Sequence, residues 1–293
     1  GDFNMEYDMP LYRPPSEAYS LIIQVTLGCS HNKCTFCSMY KSKKFKIKPL
    51  EVIKNEIDIF RRYYKHVERI FLADGDALII PMEKLRDIIL YIKEVFPECE
   101  RITMYGSPKS IEKKSDDELK ELRKLGVKMI YLGLESGSNE VLEDIKKGFS
   151  SEQLIKVGRK VKKSGIKLSA TVIAGLGGTK KTHQHAVDTG KMLGAISPDY
   201  VGVLSLMVEP NTELYDLLKA GEFTILEDKA VLQEIKEMIK NIDANEKIVF
   251  RSNHASNYAN LKGVLPDDKQ RLTDEIDYYL SNQKLKREEY RRL

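Results

Sequence analysis

Apolar, β-rich runs alternate with helix-patterned segments along most of this chain, and that alternation limits the fold more than any other feature. Tyr19–Thr26, Arg69–Ala73, Arg101–Tyr105, Lys128–Leu134, Lys167–Ala174 and Tyr200–Val208 read as strands. Between them, Leu50–Tyr64, Met82–Phe96, Asp116–Leu125, Asn139–Lys147, Ser151–Ser164 and Thr182–Leu193 carry helical spacing. Gly126 and Gly165 stop two of these helices, as C-cap glycines do. Glu213–Ala220 and Lys229–Ile242 are helices after the sixth strand. Strand followed by helix, with right-handed crossovers, builds a parallel sheet. The 293 residues are short for eight such units and a tail. The expectation is an α/β fold, a partial parallel (β/α)6 barrel with a C-terminal helical extension. Residues 1–18 precede it, 19–220 form it and 221–293 are the extension.

Parallel barrels of this kind carry function at the C-terminal ends of their strands. Polar and glycine-rich residues fall there repeatedly. Asp74-Gly75-Asp76 follows the second strand, Gly106-Ser107-Pro108 the third, Glu135-Ser136-Gly137-Ser138 the fourth and Gly175-Leu176-Gly177-Gly178 the fifth. Each alone suits a plain turn. With the cysteine loop after the first strand, five consecutive loops share one rim.

That loop holds Cys29, Cys34 and Cys37, three of the four cysteines. A secreted disulfide scaffold would spread them and would usually be shorter, so the clustering points to a reducing compartment and a metal. Thiolates this close can wrap one iron–sulfur cubane and leave one iron without a protein thiolate. Cys99 lies in a polar loop before the third strand, at the opposite rim, and reads as a lone loop cysteine. Zinc is the competing reading, but structural zinc wants four ligands. His31, two residues from Cys29, would have to fold back on its own loop to be the fourth. An open iron can be chelated by an amine and a carboxylate, which brings a sulfonium beside an electron donor.

With these strings the chain resembles the radical S-adenosylmethionine superfamily, over roughly Tyr19 to Tyr215. The branch it is most similar to holds oxygen-independent coproporphyrinogen oxidases, methylthiotransferases and the elongator catalytic subunit. The supporting segments are Cys34-Thr-Phe-Cys37, Phe71-Leu-Ala-Asp-Gly-Asp-Ala77, Leu132-Gly-Leu-Glu-Ser-Gly-Ser138, Val172-Ile-Ala-Gly-Leu-Gly-Gly178 and Pro210-Asn-Thr-Glu-Leu-Tyr215. The resemblance implies that Cys29, Cys34 and Cys37 hold a [4Fe–4S] cluster and that S-adenosylmethionine is the second cofactor. Phe36 and Tyr40 would pack near the adenine, and Asp74, Gly75 and Asp76 would meet the methionine amino group. Ser107 and Glu135 would meet the carboxylate or ribose. Lys147 would stand near a family arginine that pairs with the carboxylate. Val172–Gly175, with Ile173 and Gly175 foremost, and Val203–Leu204 would line the adenine. The plainer alternatives are a helix cap for Glu135, a solvated helix-end charge for Lys147 and ordinary core for the apolar strand residues. An external electron donor of flavodoxin or ferredoxin type is implied as partner. An electron-transfer or binding module without radical catalysis is the alternative function.

The departures narrow the reading. Four residues separate Cys29 from Cys34, where the family usually has three. Met39 stands where coproporphyrinogen oxidases carry a further cysteine. The second cluster of methylthiotransferases and the acetyltransferase domain of the elongator subunit have no counterpart in these residues. Thr171 replaces an acidic residue that some relatives place at the ribose.

Composition adds limits. A net charge of +4 on 48 basic and 44 acidic groups is nearly neutral and does not argue for nucleic acid, which is not the expected partner. No apolar run is long enough for a membrane span, and no signal peptide is evident, which suggests a cytoplasmic protein. Gly1–Asn4, ahead of Met5, read as an expression scar. Lys41, Lys43, Lys44, Lys46 and Lys48 suit a solvated loop or a rim for an anionic substrate. Beyond a strand-like Lys247–Phe250, an amide-rich loop offers Arg251, Asn253 and His254 as substrate contacts, although a lone loop histidine is more often structural. A last helix is expected at about Asp267–Ser281, and Lys284–Arg292 as a solvated basic end.

Overall fold

The computed structural model describes residues 7–9, 11–29, 35–36, 44–252 and 260–282. Two compact units divide the chain. The first takes Gly1–Asn32, Met39–Leu132 and Lys160–Lys167. Its elements are β1 (Leu21–Gln24), β2 (Thr26–Leu27), β3 (Lys46–Ile47), α1 (Leu50–Tyr63), β4 (Arg69–Ala73), α2 (Met82–Val95), β5 (Arg101–Tyr105), α3 (Pro108–Lys113), α4 (Asp116–Leu125) and most of β6 (Val127–Glu135). The second takes Lys33–Ser38, Gly133–Arg159 and Leu168–Leu293. It holds the end of β6, α5 (Asn139–Asp144), most of α6 (Ser151–Ser164) and of β7 (Lys167–Ala174), α7 (Gly178–Ile196), β8 (Tyr200–Ser205), α8 (Glu213–Lys219), α9 (Asp228–Lys240), β9 (Ile248–Ser252), β10 (Leu261–Leu265) and α10 (Lys269–Asn282).

Among the described residues the strand order is β1-β4-β5-β6 in the first unit and β7-β8-β9-β10 in the second. In the first unit β1, β4, β5 and β6 pair in parallel, Ile22 opposite Phe71 and Phe71 opposite Thr103. In the second, β7, β8 and β9 pair in parallel, and β10 closes the series antiparallel to β9. A mainly parallel α/β sheet is therefore what the alternation of strand and helix delivers.

Burial follows from side-chain spacing. Ile53, Ile57 and Phe60 fall on one face of α1 and are fully buried. Ile70 and Leu72 on β4, and Ile102 and Met104 on β5, are buried likewise. Each such side chain contributes about 1.5–3 kcal/mol of transfer free energy. The other face of the β5 and β6 strands is polar and aromatic. Glu17, fully buried, accepts hydrogen bonds from Ser20 (2.8 Å), Thr103 (2.7 Å), Arg101 (2.7 Å) and the Tyr131 hydroxyl. Phe71, Tyr105 and Tyr131 meet edge to face above it, with centroids 5.2–6.2 Å apart.

Several elements differ from the sequence reading. Helix α5 ends at Asp144 rather than Lys147, because Lys146 and Gly148 take positive φ (59° and 82°) and unwind it. Helix α7 begins at Gly178, earlier than Thr182. Helix α3 and strand β10 were not expected. Its own pattern is short and carries Gly263, so β10 becomes a strand by pairing with β9. Over residues 221–282 the described elements are α9, β9, β10 and α10, so the strand-like Lys247–Phe250 is joined there by a second, antiparallel strand. Among the described residues no helix is long and apolar enough to cross a membrane.

Candidate functional site

In the first unit the segment after β1 is clamped just before Cys29. Asp74, fully buried at the end of β4, accepts the Gly28 amide on Oδ2 (3.0 Å) and the Gln24 side-chain amide on Oδ1 (3.1 Å). Its own amide donates to the carbonyl and hydroxyl of Thr26 (3.1 and 3.0 Å), and the Gly75 amide donates to Gly28 (3.1 Å). A charged acceptor makes the Gly28 bond stronger than a neutral one would. Cys29 itself is half-buried. Gln24 is held in turn by both backbone groups of Asp8.

Asp76 is fully buried and takes both donors of Ser107, the amide at 3.1 Å and the hydroxyl at 2.6 Å. Ser107 also caps α3 by accepting the Ser110 amide. Between them, Lys114 sends its ammonium to the carbonyls of Leu78 (2.7 Å) and Ile80 (2.8 Å). Burial lowers the Lys114 pKa. The loop from Asp74 to Ile80 is therefore fixed at both ends by buried charges.

In the second unit Glu135 ends β6 at φ 70°, in the left-handed region. Its side chain is only 15% exposed and folds back over Gly133, where a Cβ would meet Oε1 at 2.4 Å. Lys147 stands 3.7 Å from that oxygen and donates to the Gly133 carbonyl (2.8 Å). Burial raises the Glu135 pKa, and Lys147 opposes the shift. Lys147 is thus a buried partner of Glu135 and not a solvated helix end.

The turn after Glu135 rests on His185 of α7. Its Nε2 lies 2.8 Å from the Ile173 carbonyl, which can only accept, so Nε2 carries the proton. Nδ1 then accepts from the Ser136 hydroxyl (2.7 Å), whose oxygen accepts the Ser138 amide (3.0 Å). Burial lowers the His185 pKa to about 4, which keeps the ring neutral. On β7, Ile173 is 8% exposed and pairs with Leu204, which is half-buried. The Gly175 amide donates to Glu234 of α9 (2.6 Å). Phe36 is half-buried, and its neighbour Thr35 is docked on two sides. The Thr35 amide donates to Ile145, and the Thr35 carbonyl accepts from Leu214 at the start of α8. That gives the Pro210–Tyr215 motif a local task. Arg251 is exposed on β9, opposite Gly202. Cys34, Cys37, Tyr40, Asn253 and His254 lie outside the described residues.

The Radical SAM superfamily model matches residues 23–193, more than half of the chain. This chain belongs to the Radical SAM superfamily. Superfamily members use a [4Fe–4S] cluster and S-adenosylmethionine. An uncharacterized protein of Methanocaldococcus jannaschii is 26% identical over 76% of this Radical SAM chain and 72% of its own length. The tRNA uridine(34) acetyltransferase of Methanocaldococcus infernus is 31% identical over 41% of the chain, which spans 23% of that relative. Coproporphyrinogen III oxidase from Escherichia coli shares the fold with TM-score 0.58 at 18% identity, over 75% of this chain and 51% of that one.

In this Radical SAM chain, sequence reasoning missed Gln24, Lys114, His185 and Glu234. One of them left a signal. Glu234 interrupts the apolar face of α9 formed by Val231, Leu232, Ile235 and Met238. An acid at that spacing is a buried acid. The other three occupy positions that an ordinary amphipathic pattern tolerates.

Proposed function

We propose that this Radical SAM chain cleaves S-adenosylmethionine reductively to begin hydrogen abstraction from a substrate. The observation that carries the reading is Glu135. A carboxylate held largely buried on left-handed backbone at a strand C-terminus is unfavourable for stability, and such groups concentrate at functional sites.

Cys29, Cys34 and Cys37 are the ligands proposed for the [4Fe–4S] cluster, and their three thiolates leave one iron for the amine and carboxylate of S-adenosylmethionine. When bound, the cluster supplies one electron that splits S-adenosylmethionine into methionine and a 5′-deoxyadenosyl radical able to take a hydrogen atom. The donor set suits that group, since soft thiolates select iron–sulfur chemistry. Asp74 holds Gly28 and thereby sets where Cys29 begins. Gly75 and Asp76 are assigned to the methionine end, with Ser107 fixed on Asp76. Glu135 and Lys147 present opposite charges for the ribose and carboxylate. Ile173, Gly175 and Leu204, with Phe36 and Tyr40, are assigned to the adenine. Arg251, Asn253 and His254 are assigned to the substrate. Residues 19–220 form the catalytic core in this reading, and 221–293 support it. The electron comes from an external carrier of flavodoxin or ferredoxin type.

The test is anaerobic reconstitution with iron and sulfide. We expect visible iron–sulfur absorbance, a reduced-cluster EPR spectrum that changes on adding S-adenosylmethionine, and 5′-deoxyadenosine on adding dithionite. A cluster whose spectrum ignores S-adenosylmethionine would sink the reading.

A further inference from the structure

Glu234 has no assignment in the reading above, and its surroundings give it one. The residue lies on α9 in the 221–293 segment and is 2% exposed. No basic side chain pairs with it among the described residues. Its neighbours along the helix, Val231, Leu232, Ile235 and Met238, are apolar and buried, so an apolar side chain would pack there at less cost. Both carboxylate oxygens are committed to one place. Oε2 accepts the Gly175 amide at 2.6 Å, and Oε1 accepts the Thr182 hydroxyl at 2.9 Å. Burial raises its pKa to about 7, and these two donors oppose that shift.

The segment it grips is the turn between β7 and α7. Gly175 sits at φ 86°, a conformation that needs holding because glycine loses the most freedom on ordering. The Gly178 amide closes the turn onto the Gly175 carbonyl (2.9 Å), and the Thr179 amide donates to Thr224 (3.1 Å). Thr224 and Glu234 both belong to the 221–293 segment. That segment therefore supplies the outer hydrogen bonds of a turn that the core sequence leaves open.

We propose that Glu234 is a positioning residue for S-adenosylmethionine, fixing the Gly175 turn from outside and so setting the affinity for the adenosine end. The proposal rests on the reading that Ile173 and Gly175 line the adenine. It makes the C-terminal segment part of the cofactor site without touching the cofactor.

The experiment compares the reconstituted wild type with Glu234→Met and Glu234→Gln. Met matches the apolar face and keeps the packing, while Gln keeps an oxygen for the Gly175 amide. Equilibrium dialysis gives the S-adenosylmethionine Kd, and hydrogen exchange reports the Gly175 amide. We expect about a tenfold weaker Kd and faster Gly175 exchange in Glu234→Met, the scale of one lost charge-assisted hydrogen bond. Glu234→Gln should stay within about threefold of wild type, because a neutral acceptor keeps most of the bond. A lower melting temperature with an unchanged Kd in Glu234→Met means a merely structural role and overturns the proposal. If that variant does not fold, the wild type decides, since S-adenosylmethionine must slow Gly175 exchange and an unchanged rate overturns it. A wild type that binds no S-adenosylmethionine overturns instead the reading beneath.

Discussion

Left-handed backbone costs a residue with a Cβ about 1–2 kcal/mol, and Glu135 carries that cost together with the desolvation of its carboxylate. Glu135→Gly removes both. We expect its thermal stability to match or exceed wild type by up to roughly 1 kcal/mol, while S-adenosylmethionine binding falls at least tenfold by dialysis. Lys147 keeps its hydrogen bond to the Gly133 carbonyl but loses the carboxylate 3.7 Å away, which offsets part of that gain. His185 gives a prediction in pH. Its ring takes a proton near 6.5 in the unfolded chain but only near 4 when folded. Its contribution is whole above pH 6.5 and is lost as pH falls toward 4, by roughly 3 kcal/mol in all. The stability gap between wild type and His185→Gln should therefore shrink by about 2 kcal/mol from pH 7 to pH 5, read by urea denaturation. Glu234 carries the opposite sign, stabilising at low pH and less as pH rises toward 7, and cancels in that difference. Cys29 and Glu135 stood out in the sequence by their types and strand-end positions, and Lys147 only through the family resemblance. His185 carried no such signal, and although the apolar face around Glu234 marks a buried acid, its partner Gly175 lies 59 residues away in sequence.

At the scale of elements, local chemistry and tertiary pairing divide the boundaries between them. Ser115 and Glu118 form a reciprocal capping box at the start of α4, and Gly126 ends it at φ 111°. The Gly126 stop was read from the sequence, because a cap uses neighbours within a turn. Helix α3 was not, for its start depends on Ser107 reaching Asp76 as well as Ser110. Lys114, just past its end, ties the following chain back to the loop after β4. Lys114→Met would leave the Leu78 and Ile80 carbonyls without their buried donor. We expect a loss of about 2 kcal/mol in urea denaturation. The loop is positioned by that ammonium, so weaker S-adenosylmethionine binding should accompany it. Restoring the charge with Lys114→Arg should not restore the fit, because the planar fork differs in shape from a point-like ammonium.

For the whole molecule, motif order along the chain was enough to anticipate a mainly parallel sheet and the superfamily. Strand β10 was missed because its pairing partner, not its own pattern, makes it a strand. Spacing also says nothing of what braces the strands from the N-terminal side. That brace is Glu17, which reaches 84 residues along the chain to Arg101 and 114 to Tyr131. Contacts so distant return their energy only after the intervening chain is ordered, because the loop must close first. In a chain made from its N-terminus, the turn ahead of β1 waits for β5 and β6 to emerge. Cys29 waits for a nearer element, because the clamp just before it comes from Asp74 at the end of β4, 46 residues on from Gly28.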